Sequence, residues 1–284
     1  MLVQVNDIRL NIEERGRQQD PPLVLLHGFT GSAAGWGKHL DRLAAAGLRV
    51  LAFDLHGHGP SDAPNNSERY NMEHCQQDIL AALKKLDVGR GEAALLGYSM
   101  GGRIALYTAF SGFFRALILE SASPGIADRL EREQRRLADE ALAERIERDG
   151  VQMFVNYWER LPLFASQNNL PLETRKPLRE QRLQNRARGL ANSLRGVGTG
   201  AQPSLHARLP TLDIPVLLIA GELDSKFSAI ARSMAQALPH ARLHIVPGAG
   251  HTVHLEQPEM FDSIVEDFIH SMNIVKQGHF TVPN

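Results

Sequence analysis

The chain has 284 residues, 43% of them hydrophobic, and a formal net charge of −1. That length and apolar share suit one large domain, or a core domain carrying an insertion. The near-zero charge argues against a surface drawn as a whole to nucleic acid or anionic membrane, and the single cysteine, Cys75, excludes an intrachain disulfide.

The first twenty residues carry charges from Asp7 to Asp20 and hold no long apolar core, which argues against a secretory leader. No apolar run reaches the ~18 residues needed to cross a bilayer. The cytoplasm, a reducing compartment, is the expected location. Asn65-Asn66-Ser67 fits a glycosylation acceptor but reads as a polar loop.

In chain order, Val3–Leu10, Leu23–Leu26 and Arg49–Phe53 read as strands, and Asn71–Leu86 as a helix. Ala93–Leu96 reads as a strand entering a helix over Met100–Phe110, and Ala116–Leu119 as the next strand. Later come a strand at Val216–Ala220, a helix at Ser228–Leu238, a strand at Arg242–Val246 and a helix at Pro258–Ser271. This alternation predicts an α/β fold with a mostly parallel sheet flanked by helices. Leu23–Leu26 and Val216–Ala220 are apolar without alternation, as in strands buried on both faces. The tail after Ile274 reads as weakly structured.

From Pro124 to about Ser204 no strand is predicted. The span 124–208 holds 14 of the 25 arginines, one lysine and 11 acidic residues in helix-like spacing. We read 124–205 as a helical cap inserted into a core made of 1–123 and 206–284. For most of these arginines a solvated helix face is sufficient explanation.

Leu95-Leu96-Gly97-Tyr98-Ser99-Met100-Gly101-Gly102 places Gly-x-Ser-x-Gly between a strand and a helix. Alone the motif is a weak signal. In this setting it describes a sharp turn that lifts a serine hydroxyl above the sheet, with small neighbours letting strand and helix approach. The helix N-terminus favours developing negative charge. A serine hydroxyl needs a neighbour to take its proton. His251 follows the last strand in Pro247-Gly248-Ala249-Gly250-His251, and Asp224 precedes it in Gly221-Glu222-Leu223-Asp224, with Glu222 as the alternative acid. The order Ser99, Asp224, His251 matches the α/β-hydrolase fold. The expected oxyanion donors are the N–H groups of Phe29, in His27-Gly28-Phe29, and of Met100. His27 reads as a packed core histidine. His56 and His58, in Asp54-Leu55-His56-Gly57-His58-Gly59-Pro60-Ser61, lack a completing metal-ligand set and read as a loop. Cys75 reads as a packing residue.

Beyond the superfamily, the chain resembles the 2-succinyl-6-hydroxy-2,4-cyclohexadiene-1-carboxylate (SHCHC) synthases of menaquinone biosynthesis. Four features carry the likeness: Gly97-Tyr98-Ser99-Met100-Gly101-Gly102-Arg103; Glu120-Ser121-Ala122-Ser123-Pro124-Gly125-Ile126 leading into Glu131-Arg132-Glu133-Gln134-Arg135-Arg136; Gly221-Glu222-Leu223-Asp224-Ser225-Lys226-Phe227; and Trp158 with Leu163-Phe164-Ala165-Ser166, then Arg179 and Arg182. The resemblance implies pyruvate elimination from a small tricarboxylate, with no metal or organic cofactor. It also implies substrate contacts from Arg103, Arg135 and Arg182, with Arg132 and Arg136 as rivals to Arg135. Tyr98 and Trp158 would wall the pocket, and for Trp158 plain cap packing is an equal alternative. Lys226 would assist an anion or lie on the rim. Guanidiniums suit carboxylates because they stay charged and offer a planar fork. Two other classes remain open at this level: a hydrolase of esters, thioesters or carbon–carbon bonds using the same triad, and a non-catalytic receptor on the same fold.

Overall fold

The computed structural model describes residues 1–272, and the tail after Ile274 lies outside them. One eight-stranded sheet runs in the order β1-β2-β4-β3-β5-β6-β7-β8. The strands are β1 Leu2–Val5, β2 Ile8–Arg15, β3 Pro22–Leu26, β4 Arg49–Phe53, β5 Ala94–Tyr98, β6 Ala116–Glu120, β7 Val216–Gly221 and β8 Ala241–Val246. β1 and β2 join antiparallel, and every pairing from β4 to β8 is parallel. This is the α/β-hydrolase architecture expected from the sequence.

The helices of four or more residues with α geometry, in chain order, are α1 Lys38–Ala45, α2 Met72–Lys85, α3 Met100–Ala109, α4 Arg129–Trp158, α5 Leu172–Leu183, α6 Ala187–Val197, α7 Ser225–Ala237, α8 Val253–Glu256 and α9 Pro258–Ser271. One apolar layer packs α2, α3 and α7 on the sheet, through residues such as Ile79, Leu83, Ile104 and Met234. The opposite layer packs α1 and α9, through Leu40, Leu43, Phe261, Val265 and Phe268. Strands covered on both faces read as continuous apolar runs, and β3 and β7 are buried along nearly their whole length.

Two local expectations need correction, and one helix is added to them. Val3–Leu10 is a hairpin and not one strand: Val5 pairs with Ile8 across Asn6-Asp7, and Asn6 takes φ 47°. Asn tolerates that left-handed region and so makes the two-residue turn. α1, eight residues with Leu40 and Leu43 on its buried face, is the addition to the elements expected from the sequence. α7 starts three residues before Ser228, because the Asp224 side chain caps it by accepting the Phe227 N–H at 3.1 Å.

Among the described residues no strand lies between Glu120 and Val216. That stretch holds α4, α5 and α6. α4 breaks at Gly150 (φ 81°, ψ 168°), a conformation glycine adopts without a Cβ penalty. Ala143, Ile146, Phe154 and Val155 then pack on Leu190, Ala191 and Leu194 as a separate small core, and Phe29 and Trp158 touch it from below.

Candidate active site

The loops after β3, β5, β7 and β8 leave the same edge of the sheet, the carboxyl end, where ligands bind in open α/β sheets. β5 ends at Tyr98 and α3 begins at Met100, so Ser99 alone makes the turn, at φ 51° and ψ −108°. The turn is possible because its flanks are glycine: a Cβ on Gly97 would lie 2.4 Å from the Gly101 carbonyl oxygen, and one on Gly101 would lie 2.2 Å from that of Leu26. The Ser99 N–H donates to the Glu120 carbonyl at 2.8 Å, which ties the strained residue to β6.

The structure brings Ser99, His251 and Asp224 together. His251 Nε2 lies 2.9 Å from Ser99 Oγ, and its Nδ1 lies 2.6 Å from Asp224 Oδ2. His251 is 1% exposed, and its ring is walled by Phe227, Phe164 and Tyr98 at centroid distances of 4.6, 5.9 and 5.6 Å. Glu222 is turned elsewhere and accepts the Gly248 N–H at 3.0 Å.

Gly28 packs directly on this turn: a Cβ there would meet the Tyr98 ring at 2.6 Å and Ser99 Cβ at 3.5 Å. The next residue, Phe29, and Met100 at the start of α3 both line the cavity over Ser99. Neither backbone N–H donates to a protein acceptor among the described residues. His27 is buried with Nδ1 2.7 Å from the Gly28 carbonyl, and its Nε2 accepts the Leu55 N–H at 3.0 Å. Burial lowers its pKa.

The cavity measures about 1190 Å³ and lies between this edge and the helical insertion. Tyr98, Arg103, Arg135, Trp158, Arg182 and Lys226 all line it, whereas Arg132 and Arg136 do not. Arg103 is buried, with Nη1 donating to the Val197 carbonyl at 2.6 Å and to Gln202 Oε1 at 3.2 Å. Burial lowers its pKa to about 10, so it stays charged near neutral pH. Arg182 bonds Glu159 (3.2 Å) and Gln167 (3.0 Å), while its buried Nε has no partner among the described residues. The buried Trp158 Nε1 is likewise unpartnered. Arg135 is tied through Nε to Asp139 at 2.7 Å and stays part-exposed. Lys226 is exposed at the mouth. Arg179, part of the sequence resemblance, pairs with Glu159 and Asn156 and does not line the cavity.

The sequence reading gives several buried residues no role. Glu120, fully buried, accepts from both the backbone and the ring Nδ1 of His254, just beyond His251. The Thr252 hydroxyl bonds Tyr98 Oη at 2.7 Å and Gln167 Nε2 at 2.9 Å. Cys75 does more than pack: its Sγ is 3.4 Å from His56 Nδ1, whose Nε2 is 2.8 Å from Asp78. His58 Nδ1 lies 2.9 Å from the His56 carbonyl, so the two imidazoles serve separate partners.

Comparison with known proteins gives a consistent family. The model of the alpha/beta hydrolase fold matches residues 21–258. A Bacillus subtilis (strain 168) protein provisionally named 2-succinyl-6-hydroxy-2,4-cyclohexadiene-1-carboxylate synthase is 44% identical over 93% of this chain and 96% of its own. The Serratia proteamaculans (strain 568) synthase of that name is 34% identical over 90% and 96%. Among solved structures, MenH from S. aureus superposes with a TM-score of 0.87 at 36% identity, covering 92% of this chain and 98% of that one. A thermophilic esterase from Thermogutta terrifontis superposes at 0.81 with 26% identity, covering 93% and 94%. The chain belongs to the α/β-hydrolase-fold family and, within it, to the 2-succinyl-6-hydroxy-2,4-cyclohexadiene-1-carboxylate synthases.

Proposed function

We propose that this protein is a carbon–oxygen lyase of menaquinone biosynthesis. It eliminates pyruvate from 2-succinyl-5-enolpyruvyl-6-hydroxy-3-cyclohexene-1-carboxylate to give SHCHC. The observation that carries the reading is a Ser99–His251–Asp224 line opening into a cavity that holds Arg103, Arg135 and Arg182. A tricarboxylate asks for several fixed guanidiniums, and the family relationship points the same way.

In this mechanism His251 withdraws the Ser99 proton while Asp224 orients the imidazole and stabilises its charged form. The activated serine removes the proton next to the succinyl carbonyl, acting as a general base. The Phe29 and Met100 N–H groups receive the enolate oxygen; both are free of protein acceptors among the described residues. The enolate re-forms the carbonyl, its electron pair shifts the ring double bond, and the ring bond to the enolpyruvyl oxygen breaks; the leaving enolate of pyruvate takes up the proton received by the Ser99–His251 pair and becomes pyruvate. Arg103, Arg135 and Arg182 hold the substrate carboxylates, Tyr98 and Trp158 wall the ring, and Lys226 attracts anions at the rim. The insertion over 124–205 serves as the lid that keeps water out. No step needs a metal or an organic cofactor.

A coupled assay for pyruvate, run with the cyclohexene substrate and in parallel with simple esters, tests the reading. Pyruvate release without a stoichiometric acyl-enzyme supports it. Burst acylation by esters with no pyruvate release would place the protein with the esterases that share its fold.

A further inference from the structure

The loop carrying His251 is gripped by a carboxylate outside the proton relay. Glu256 closes α8 and folds back on its own loop. Its Oε2 accepts the Gly250 N–H at 2.7 Å, and its Oε1 accepts the Thr252 N–H at 3.1 Å. These amides belong to the peptide that precedes Gly250 and the peptide that follows His251. One planar carboxylate therefore fixes the backbone on both sides of the imidazole. The contact is reciprocal, since the Glu256 N–H donates to the Thr252 carbonyl at 3.0 Å.

The grip matters because the approach is flexible by composition. Gly248, at φ 67°, and Gly250 flank Ala249, and glycine is the residue that gives a chain most freedom. Charge-assisted bonds to a carboxylate are the strong kind. A glutamine in its place offers one acceptor oxygen and turns an NH2 group toward the second N–H.

We propose that Glu256 is a positioning residue for His251, holding its Nε2 within 2.9 Å of Ser99 Oγ. This deepens, and rests on, the reading of Ser99 and His251 as the reacting pair. Displacing such a group by about 1 Å costs on the order of 10²-fold in rate.

The full-length protein with Glu256→Gln or Glu256→Asp tests it. The readouts are kcat and KM for pyruvate release, circular dichroism, and the rate at which an organophosphate inactivates Ser99. For Glu256→Gln, kcat falls about 10- to 100-fold, KM stays within about twofold and organophosphate inactivation slows in parallel, in protein that remains folded. Should Glu256→Gln fail to fold, Glu256→Asp carries the same comparison, its shorter side chain reaching only one amide. Wild-type kcat and wild-type inactivation in folded protein, even with a lower unfolding midpoint, would overturn the proposal and leave Glu256 a stability element. The organophosphate needs no knowledge of the substrate. If the wild type reacted with it but released no pyruvate, the substrate assignment would fall, and slowed inactivation of the variants would still uphold the clamp.

Discussion

Gln167, in the helical insertion, donates to the hydroxyl of Thr252, the neighbour of His251, across 2.9 Å. Gln167 Oε1 in turn accepts from Arg182 Nη2 at 3.0 Å. A cavity guanidinium and the His251 loop thus share one hydrogen-bonded chain. The neutral link to Thr252 contributes roughly 1 kcal/mol net and the charge-assisted link to Arg182 about 1.5–3 kcal/mol. Gln167→Ala is expected to lower kcat/KM about tenfold, since it frees both neighbours at once, and to destabilise the fold by about 1–3 kcal/mol, because the buried Arg182 and Thr252 lose a partner. Steady-state pyruvate kinetics beside a thermal melt check this.

Ser99 combines a reactive position with a strained backbone. Ser99→Ala should reduce pyruvate release by orders of magnitude, because the proton relay loses its first member. Ser99→Gly should be equally inactive but more stable, by about 1 kcal/mol, because glycine adopts φ 51° without a Cβ penalty. Urea unfolding of the two variants against wild type gives the comparison. Equal stability of Ser99→Gly and Ser99→Ala would mean that the turn stores no strain.

Arg103 links the cavity to the end of α6 through the Val197 carbonyl. Arg103→Ala is expected to lower kcat/KM by about 10²-fold, the worth of a charged hydrogen bond to a carboxylate. It should also destabilise the fold by about 1–3 kcal/mol, because a buried carbonyl loses its donor. Arg103→Lys keeps the charge without the fork, so it should recover more stability than activity. Unchanged turnover in Arg103→Ala would remove this residue from substrate binding.

Two buried histidines give stability opposite dependences on pH. Burial alone would lower the His56 pKa, but the Cys75 sulfur and the Asp78 carboxylate beside it raise it to about 9. Its folded pKa exceeds the ordinary 6.5, so its contribution is full below 6.5 and is lost as pH rises through about 9. Burial pushes His58 down to about 3. Its contribution is full above 6.5 and is lost as pH falls toward about 3. Urea unfolding across this range should show stability falling on both sides of neutrality. His56→Asn should flatten the alkaline limb, and His58→Asn the acid limb.

The order of elements and the positions of Ser99, Asp224 and His251 were legible because their signals are local. An elbow needs glycine two residues either side of the nucleophile, where backbones touch, and Gly97 and Gly101 meet that need. The acid follows an apolar strand, and the base follows the alternating last strand, Ala241–Val246. The hairpin at Asn6-Asp7 was missed because a two-residue turn leaves little trace when both flanks are β-rich.

Which of several like residues faces the cavity is a different kind of fact. Arg132, Arg135 and Arg136 share one helix, and successive residues there point about 100° apart. The seating of Ala143 and Ile146 on Leu190 and Leu194 fixes the helix phase that leaves the half-exposed Arg135 on the cavity wall. Glu222 stood in the chain as the alternative to Asp224, and the close approach of β7 to the His251 loop gives Glu222 to Gly248 and Asp224 to the imidazole. Glu120 with His254, Gln167 with Thr252, and Cys75 with His56 and Asp78 are pairings across distant segments. Sequence determined which chemistries the chain carries and in what order; folding alone decided their partners, because a charge or hydroxyl has no periodic signature and acquires its role from whatever packing brings within about 3 Å.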